Sequence, residues 1–182
     1  MKNIILIAII LLVSCSNQKE AEETRRIVEL SIKRESQKAN KIIADLNKYK
    51  VNGIDNSQEL LKLYDIAFQN NAVCVKMLKN LQDIDSKINL KKEALDYFES
   101  SNGFLKNGLK PILTMSVEEI QSNKELALKA FTQGQQFMES TQKMSEQIIL
   151  FCKEHNLNSE LTDFDKSIFN ERMIEVEKQL RN

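Results

Sequence analysis

From Leu60 to Leu81 the residues Leu60, Tyr64, Ala67, Asn71, Cys74, Leu78 and Leu81 follow one another at strictly alternating steps of four and three. A strand cannot gather such a set on one side, because its faces alternate every second residue, whereas an α-helix brings it into one stripe. Leu61, Phe68 and Val75 flank the seam and widen it beyond what a two-stranded coil needs, so the stripe fits the core of a helical bundle. Only four glycines and one proline interrupt the whole chain. With so few breakers, long helices are the natural outcome.

The same spacing recurs on either side. Val28, Ile32, Ala39, Ile42, Leu46 and Tyr49 define a first amphipathic helix over about Arg25–Tyr49, with Glu35 interrupting its seam and Asn52-Gly53 ending it. The second helix opens at Asn56, three residues before Glu59, the spacing of a capping box. A third helix is expected over about Leu90–Thr114, with Leu95, Phe98, Leu105, Leu109 and Ile112 on one face and Leu90, Ala94, Tyr97 and Phe104 beside them. Ser100 to Gly103, Gly108 and Pro111 disfavour a straight course there, so a kink or break is expected. Ser116 with Glu119 and Ser122 with Glu125 repeat the capping-box spacing and predict a short turn followed by a long fourth helix. That helix carries Ala127, Ala130, Gly134, Phe137, Thr141, Met144, Ile148 and Phe151 at three-four steps and runs to about Glu154. Ala130 and Gly134 would let a neighbour approach closely. Asn156-Leu157-Asn158 ends it, and a last helix starting at Asn158 or Thr162 would align Phe169, Met173, Val176 and Leu180. The expected fold class is therefore all-α: an up-and-down four-helix bundle with an additional C-terminal helix.

Ahead of the helices stands MKNIILIAIILLVSC, in which Lys2 precedes an unbroken apolar run from Ile4 to Val13. Ten helical residues cover roughly half of a ~30 Å hydrocarbon core, too little for a stable span but the length of a secretory signal core. Leu12-Val13-Ser14-Cys15 resembles the lipobox of bacterial lipoprotein signal peptides. That resemblance implies cleavage between Ser14 and Cys15 and acylation of the Cys15 thiol and new amino terminus, and two or more acyl chains make a stable membrane anchor. The alternatives are an ordinary signal peptide with a chance cysteine and an uncleaved buried segment. The expected organisation is a signal peptide over 1–14, the lipidated Cys15 with a polar tether over 15–24, and a helical domain over 25–182. Ser16 to Thr24 contains no apolar residue larger than alanine, and so reads as a tether. The mature chain would belong to the cell envelope, as an outer-membrane lipoprotein on the periplasmic or the surface-exposed face.

Removing the first 14 of 182 residues leaves 168, a single-domain length with enough chain for one proper core. Losing Lys2 leaves 25 basic against 26 acidic side chains. The cations are spread among acids, which excludes the concentrated basic face that nucleic acid requires. Signals for catalysis or metal binding fail one by one. His155, the single histidine, stands at a helix end without an H-x-x-x-H partner, where it reads as exposed or facing the helix dipole. Neither Cys74 nor Cys152 belongs to a C-x-x-C pair, and no Gly-rich phosphate loop, G-x-S-x-G or H-E-x-x-H occurs. No cofactor, no metal and no enzymatic activity is therefore expected. Placed on parallel diagonal helices, Cys74 and Cys152 would be offset by ~15–20 Å along the axis, too far for a disulfide, so both are expected as buried free thiols. Two polar residues occupy seam positions: Asn71 in the second helix and Thr141 in the fourth. They would either line a pocket for a small ligand inside the bundle or fix helix register through a satisfied hydrogen bond.

Phe131-x5-Phe137 and the run Phe151-Cys152-Lys153-Glu154-His155-Asn156-Leu157 make residues 15–161 resemble a family of helical surface lipoproteins of spirochaetes and Bacteroidetes. The resemblance implies an envelope or cell-surface location and carries no functional residue with it. The expected function is accordingly a lipid-anchored, non-catalytic helical interaction module. It would be held to the membrane through Cys15 and would bind a protein partner not specified by the sequence. Two alternatives stand beside it: a periplasmic immunity or inhibitor lipoprotein that neutralises a secreted toxin, and a small-ligand binder within the bundle.

Overall fold

The computed structural model describes the backbone of residues 2–51, 57–84 and 86–158, with side chains from Asn17 onward except at positions 47, 50 and 51. Its order is α1 (Lys2–Val51), α2 (Ser57–Lys79), α3 (Leu90–Gly103), a π-helical turn (Phe104–Leu109), α4 (Lys110–Leu113), α5 (Val117–Ser122) and α6 (Lys124–Glu154). The described residues are thus all-helical, without a strand. Asn52-Gly53, Asn56 with its proposed box to Glu59, and the C-terminal helix carrying Phe169 to Leu180 lie outside the described residues. Among those that are described, no helix is long and apolar enough to cross a membrane.

The stripes read from sequence are the buried ones. In α2, Leu60, Tyr64, Ala67, Asn71, Cys74 and Leu78 are all buried. In α6 the buried set is Ala127, Gly134, Phe137, Met144, Ile148, Phe151 and Cys152. Tyr49 of α1 is hydrogen-bonded to Glu59 of α2 at 3.3 Å, and the Ser31 carbonyl accepts from the Cys74 thiol at 3.9 Å. Low numbers on one helix meet high numbers on the other, so α1 and α2 run antiparallel. Lys143 of α6 reaches Glu93 of α3 at 2.7 Å, while Ser86 and Lys87, just ahead of α3, donate to Glu154 at 2.8 and 2.9 Å. By the same logic α3 and α6 are antiparallel. α2 also packs on α3, and α1 on α3, around one shared core.

Two expectations need correction. The stretch Ser16–Thr24 is not a loose tether: it continues α1, and Ala21 and Thr24 are already buried. With Ala21 included, the α1 seam reads 21, 25, 28, 32, 35, 39, 42, 46, 49, an unbroken four-three series begun by a small residue that pattern reading passes over. In the third helix the core face is rotated from the one expected. Leu95 and Ile112 are only half-buried, while Ala94, Tyr97, Ser101, Phe104 and Gly108 face inward together with Phe98, Leu105 and Leu109. A serine on that line concealed it.

Instead of breaking between Ser100 and Pro111, the chain widens. Pro111 has no N–H to give to a carbonyl one turn back, and its ring would collide with that carbonyl in a regular α-helix. The π turn over Phe104–Leu109 shifts the hydrogen-bond register immediately before it and carries the helix on into α4. α6 lies close beside this turn. A Cβ on Gly108 would stand 3.0 Å from Phe104 Cδ2, 3.1 Å from Gln133 Cβ and 3.4 Å from the Ala130 carbonyl. At Ala130 the neighbour its size anticipated is thus met.

Helix ends follow local chemistry. Ser116 and Glu119 form the anticipated capping box. α6 starts one residue later than Ser122, with Asn123 accepting from Leu126 N–H at 3.1 Å. At its other end Asn156 takes φ 52°, and Leu157 N–H reaches back to the Cys152 carbonyl at 2.8 Å. This is a Schellman closure, with Leu157 packed against the core as its apolar clasp.

Candidate functional site: a buried polar cluster shared by four helices

Glu35 occupies a seam position of α1 and is 2% exposed. Its Oε2 accepts from the Tyr97 hydroxyl at 2.5 Å and its Oε1 from the Ser101 hydroxyl at 2.7 Å. Both distances are those of hydrogen bonds to a carboxylate. Ser101 in turn accepts from Asn71 Nδ2 at 3.0 Å, and the same amide donates to Asn102 Oδ1 at 3.2 Å. Thr141 closes the set from α6: its hydroxyl donates to the Phe137 carbonyl at 2.9 Å and lies against the Tyr97 hydroxyl. Thus α1, α2, α3 and α6 each send a polar side chain to one place in the apolar core.

Burial dominates the electrostatics. It raises the Glu35 carboxyl above its ordinary value, against the lowering influence of the Tyr97 and Ser101 donors. The Tyr97 phenol is pushed well above its usual range, first by burial and then by the negative charge of Glu35. Cys74, one turn beyond Asn71, is raised by burial as well. The cluster can therefore hold or release one proton at Glu35 while Tyr97 stays a phenol. The carboxylate oxygens and the Asn71 amide are engaged by neighbours within the fold, and Glu35 and Ser101 are sealed from solvent. Satisfied in this way, the cluster specifies which helix faces meet.

Asn71 and Thr141, singled out as pocket candidates, do converge on one location. They are linked there through Ser101 and Tyr97, the Asn71 amide donating to the Ser101 hydroxyl and the Thr141 hydroxyl lying against that of Tyr97. An open surface depression, lined by Met115, Glu119, Ser122, Asn123, Lys124 and Glu125, lies at the α5–α6 turn. Glu35 was visible in the sequence as an interruption. Its partners were not, because Tyr97 and Ser101 carry no pattern of their own. Among the described residues no group of three His, Cys, Asp or Glu side chains is placed to hold a metal.

A second polar group lies nearer the N-terminal end of the domain. Arg25 and Glu29, both buried, pair at 2.5 Å across one turn of α1, close to Cys152 of α6. Burial raises the Cys152 thiol, and Glu29 adds to the shift. Cys74 and Cys152 are unbonded and buried. His155 caps α6, its N–H donating to the Phe151 carbonyl at 3.1 Å and its ring 4.5 Å from that of Phe151. The ring is half-buried rather than exposed, and its Nε2 has no hydrogen-bond partner among the described residues. Cys15, the expected lipidation site, falls on α1, and its side chain lies outside the described residues.

No family model, curated protein or solved structure matches the chain.

Proposed function

We propose that the protein is a lipid-anchored, non-catalytic interaction module of the bacterial cell envelope, attached through Cys15 and built as an up-and-down four-helix bundle with a further helix after Thr162. The antiparallel pairs α1–α2 and α3–α6 support that topology. The observation that carries the reading is the order of Lys2, the apolar run, Ser14 and Cys15 directly ahead of a helical domain whose buried Glu35 is engaged by Tyr97 and Ser101. The domain also leaves large apolar side chains outside. Ile66 and Val73 stand two turns apart on the outer face of α2, 48% and 54% exposed, and Ile149 and Leu150 are exposed near the end of α6. Exposed apolar surface of this kind suits a protein partner. The closed hydrogen bonding around Glu35 disfavours the small-ligand reading, since a ligand would have to displace satisfied partners.

Two experiments test this. Replacing Cys15→Ser moves the protein from the membrane fraction to the soluble fraction and abolishes incorporation of labelled fatty acid; unchanged fractionation refutes the anchor. Protease treatment of intact cells, with a periplasmic protein as control, then separates a surface module from the periplasmic inhibitor reading. Loss of the domain while the control survives supports the first.

A further inference from the structure

We infer that the bundle rests end-on against the lipid headgroups, with the α2–α3 loop and the C-terminus of α6 turned to the membrane, instead of hanging from a flexible tether. The inference rests on the proposed acylation of Cys15. It follows from how soon the core begins. α1 is continuous from Lys2 to Val51, and Ala21 is fully buried within the core cluster. Ala21 is only six positions after Cys15, a rise of about 9 Å in a helix.

The elements that end beside Ala21 are identified by their contacts. Cys152 lies against the Arg25–Glu29 pair, and Glu154 holds Ser86 and the backbone of Lys87. Lys91 closes the same loop by donating to the Leu81 carbonyl at 2.7 Å and pairing with Asp83 at 3.2 Å. This end of the bundle is therefore a folded surface rather than a set of loose loops. Its exposed charges are mixed, with Asp83, Lys87, Lys153 and Glu154 all solvent-facing, which suits the zwitterionic and polar headgroup region. Ile149 and Leu150, 58% and 47% exposed, lie within two turns of the same end. Set four and five residues before Glu154, about 6–8 Å back from the end face, they stay on the water side of the headgroups.

The test is neutron reflectometry of the acylated mature protein on a supported bilayer of phosphatidylethanolamine and phosphatidylglycerol. A variant with twenty Gly/Ser residues inserted between Ser16 and Asn17 serves as comparison. The expected water gap between headgroups and protein is about 10 Å or less for the natural chain. In the variant it widens toward about 25 Å, the root-mean-square reach of such a linker. A gap above about 10 Å in the natural chain, or the same density profile for both proteins, overturns the inference while leaving the anchor intact. A purified mature protein whose mass shows no acyl group instead removes the anchor, and this inference with it.

Discussion

At the residue scale the fold turns on Glu35. A carboxyl whose value is raised by burial keeps its proton in the folded state over a range where the unfolded chain has already lost it. The folded state then binds more protons than the unfolded one, so stability falls as pH rises from the ordinary carboxyl value of 4.5 through the folded value. Glu35→Gln removes this dependence. In urea titrations between pH 4.5 and 8 the variant should lose the downward slope and gain on the parent most at the alkaline end. Equal slopes in the two proteins would place the carboxyl in an ordinary environment. Tyr97→Phe deletes a donor that lowers the Glu35 value, so the carboxyl should titrate at higher pH by carbon-detected NMR. Loss of the hydrogen bond should also cost about 1–2 kcal/mol. The thiols belong to this scale too. Cys74 and Cys152, buried and raised by that burial, should resist alkylation in the native protein, and each should take up one alkyl group in denaturant without reductant.

At the element scale the two informative places are the π turn and the end of α6. Gly108→Ala gains about 1 kcal/mol of helix propensity. The added methyl, however, meets Gln133 Cβ, which the α6 backbone holds, and Phe104, stacked on Phe137 with ring centroids 5.4 Å apart. Neither neighbour is a free side-chain end, and overpacking costs about 1–3 kcal/mol, so net destabilisation of about 1 kcal/mol is expected on chemical denaturation. A gain would mean that α6 retreats. At Asn156 the positive φ penalises any side chain with a Cβ that cannot bond locally. Asn156→Val should cost about 1–2 kcal/mol, and Asn156→Gly should be neutral or slightly stabilising. The pair of substitutions isolates backbone conformation from packing, because the Asn156 side chain is exposed.

At the scale of the whole molecule, four helices meet at one polar cluster, and its residues should act as a unit. Asn71→Leu and Glu35→Leu each leave the Ser101 hydroxyl short of a partner, at roughly 1–3 kcal/mol apiece. The double substitution should cost less than the sum of the two, since one partly emptied site is being counted twice. Strict additivity in a double-mutant cycle would show that the two contacts are independent.

Much of this architecture was legible in the chain. The seams of α2 and α6 appear as written, because an apolar stripe at helical spacing has one stable use in water and few glycines or prolines compete with it. What could not be read depends on partners distant in sequence. That Ser101 faces inward follows from Glu35 waiting 66 residues away, and that Ala21 belongs to the core follows from the elements packed around it. A polar or small side chain carries no inward preference of its own, so its burial is decided only when another helix supplies the hydrogen bond or the close surface. Sequence alone determined the helical class and the faces that α2 and α6 bury, because periodicity is a property of one segment. Tertiary structure alone decided where the polar groups meet and how near the core begins to Cys15, because those are properties of several segments at once.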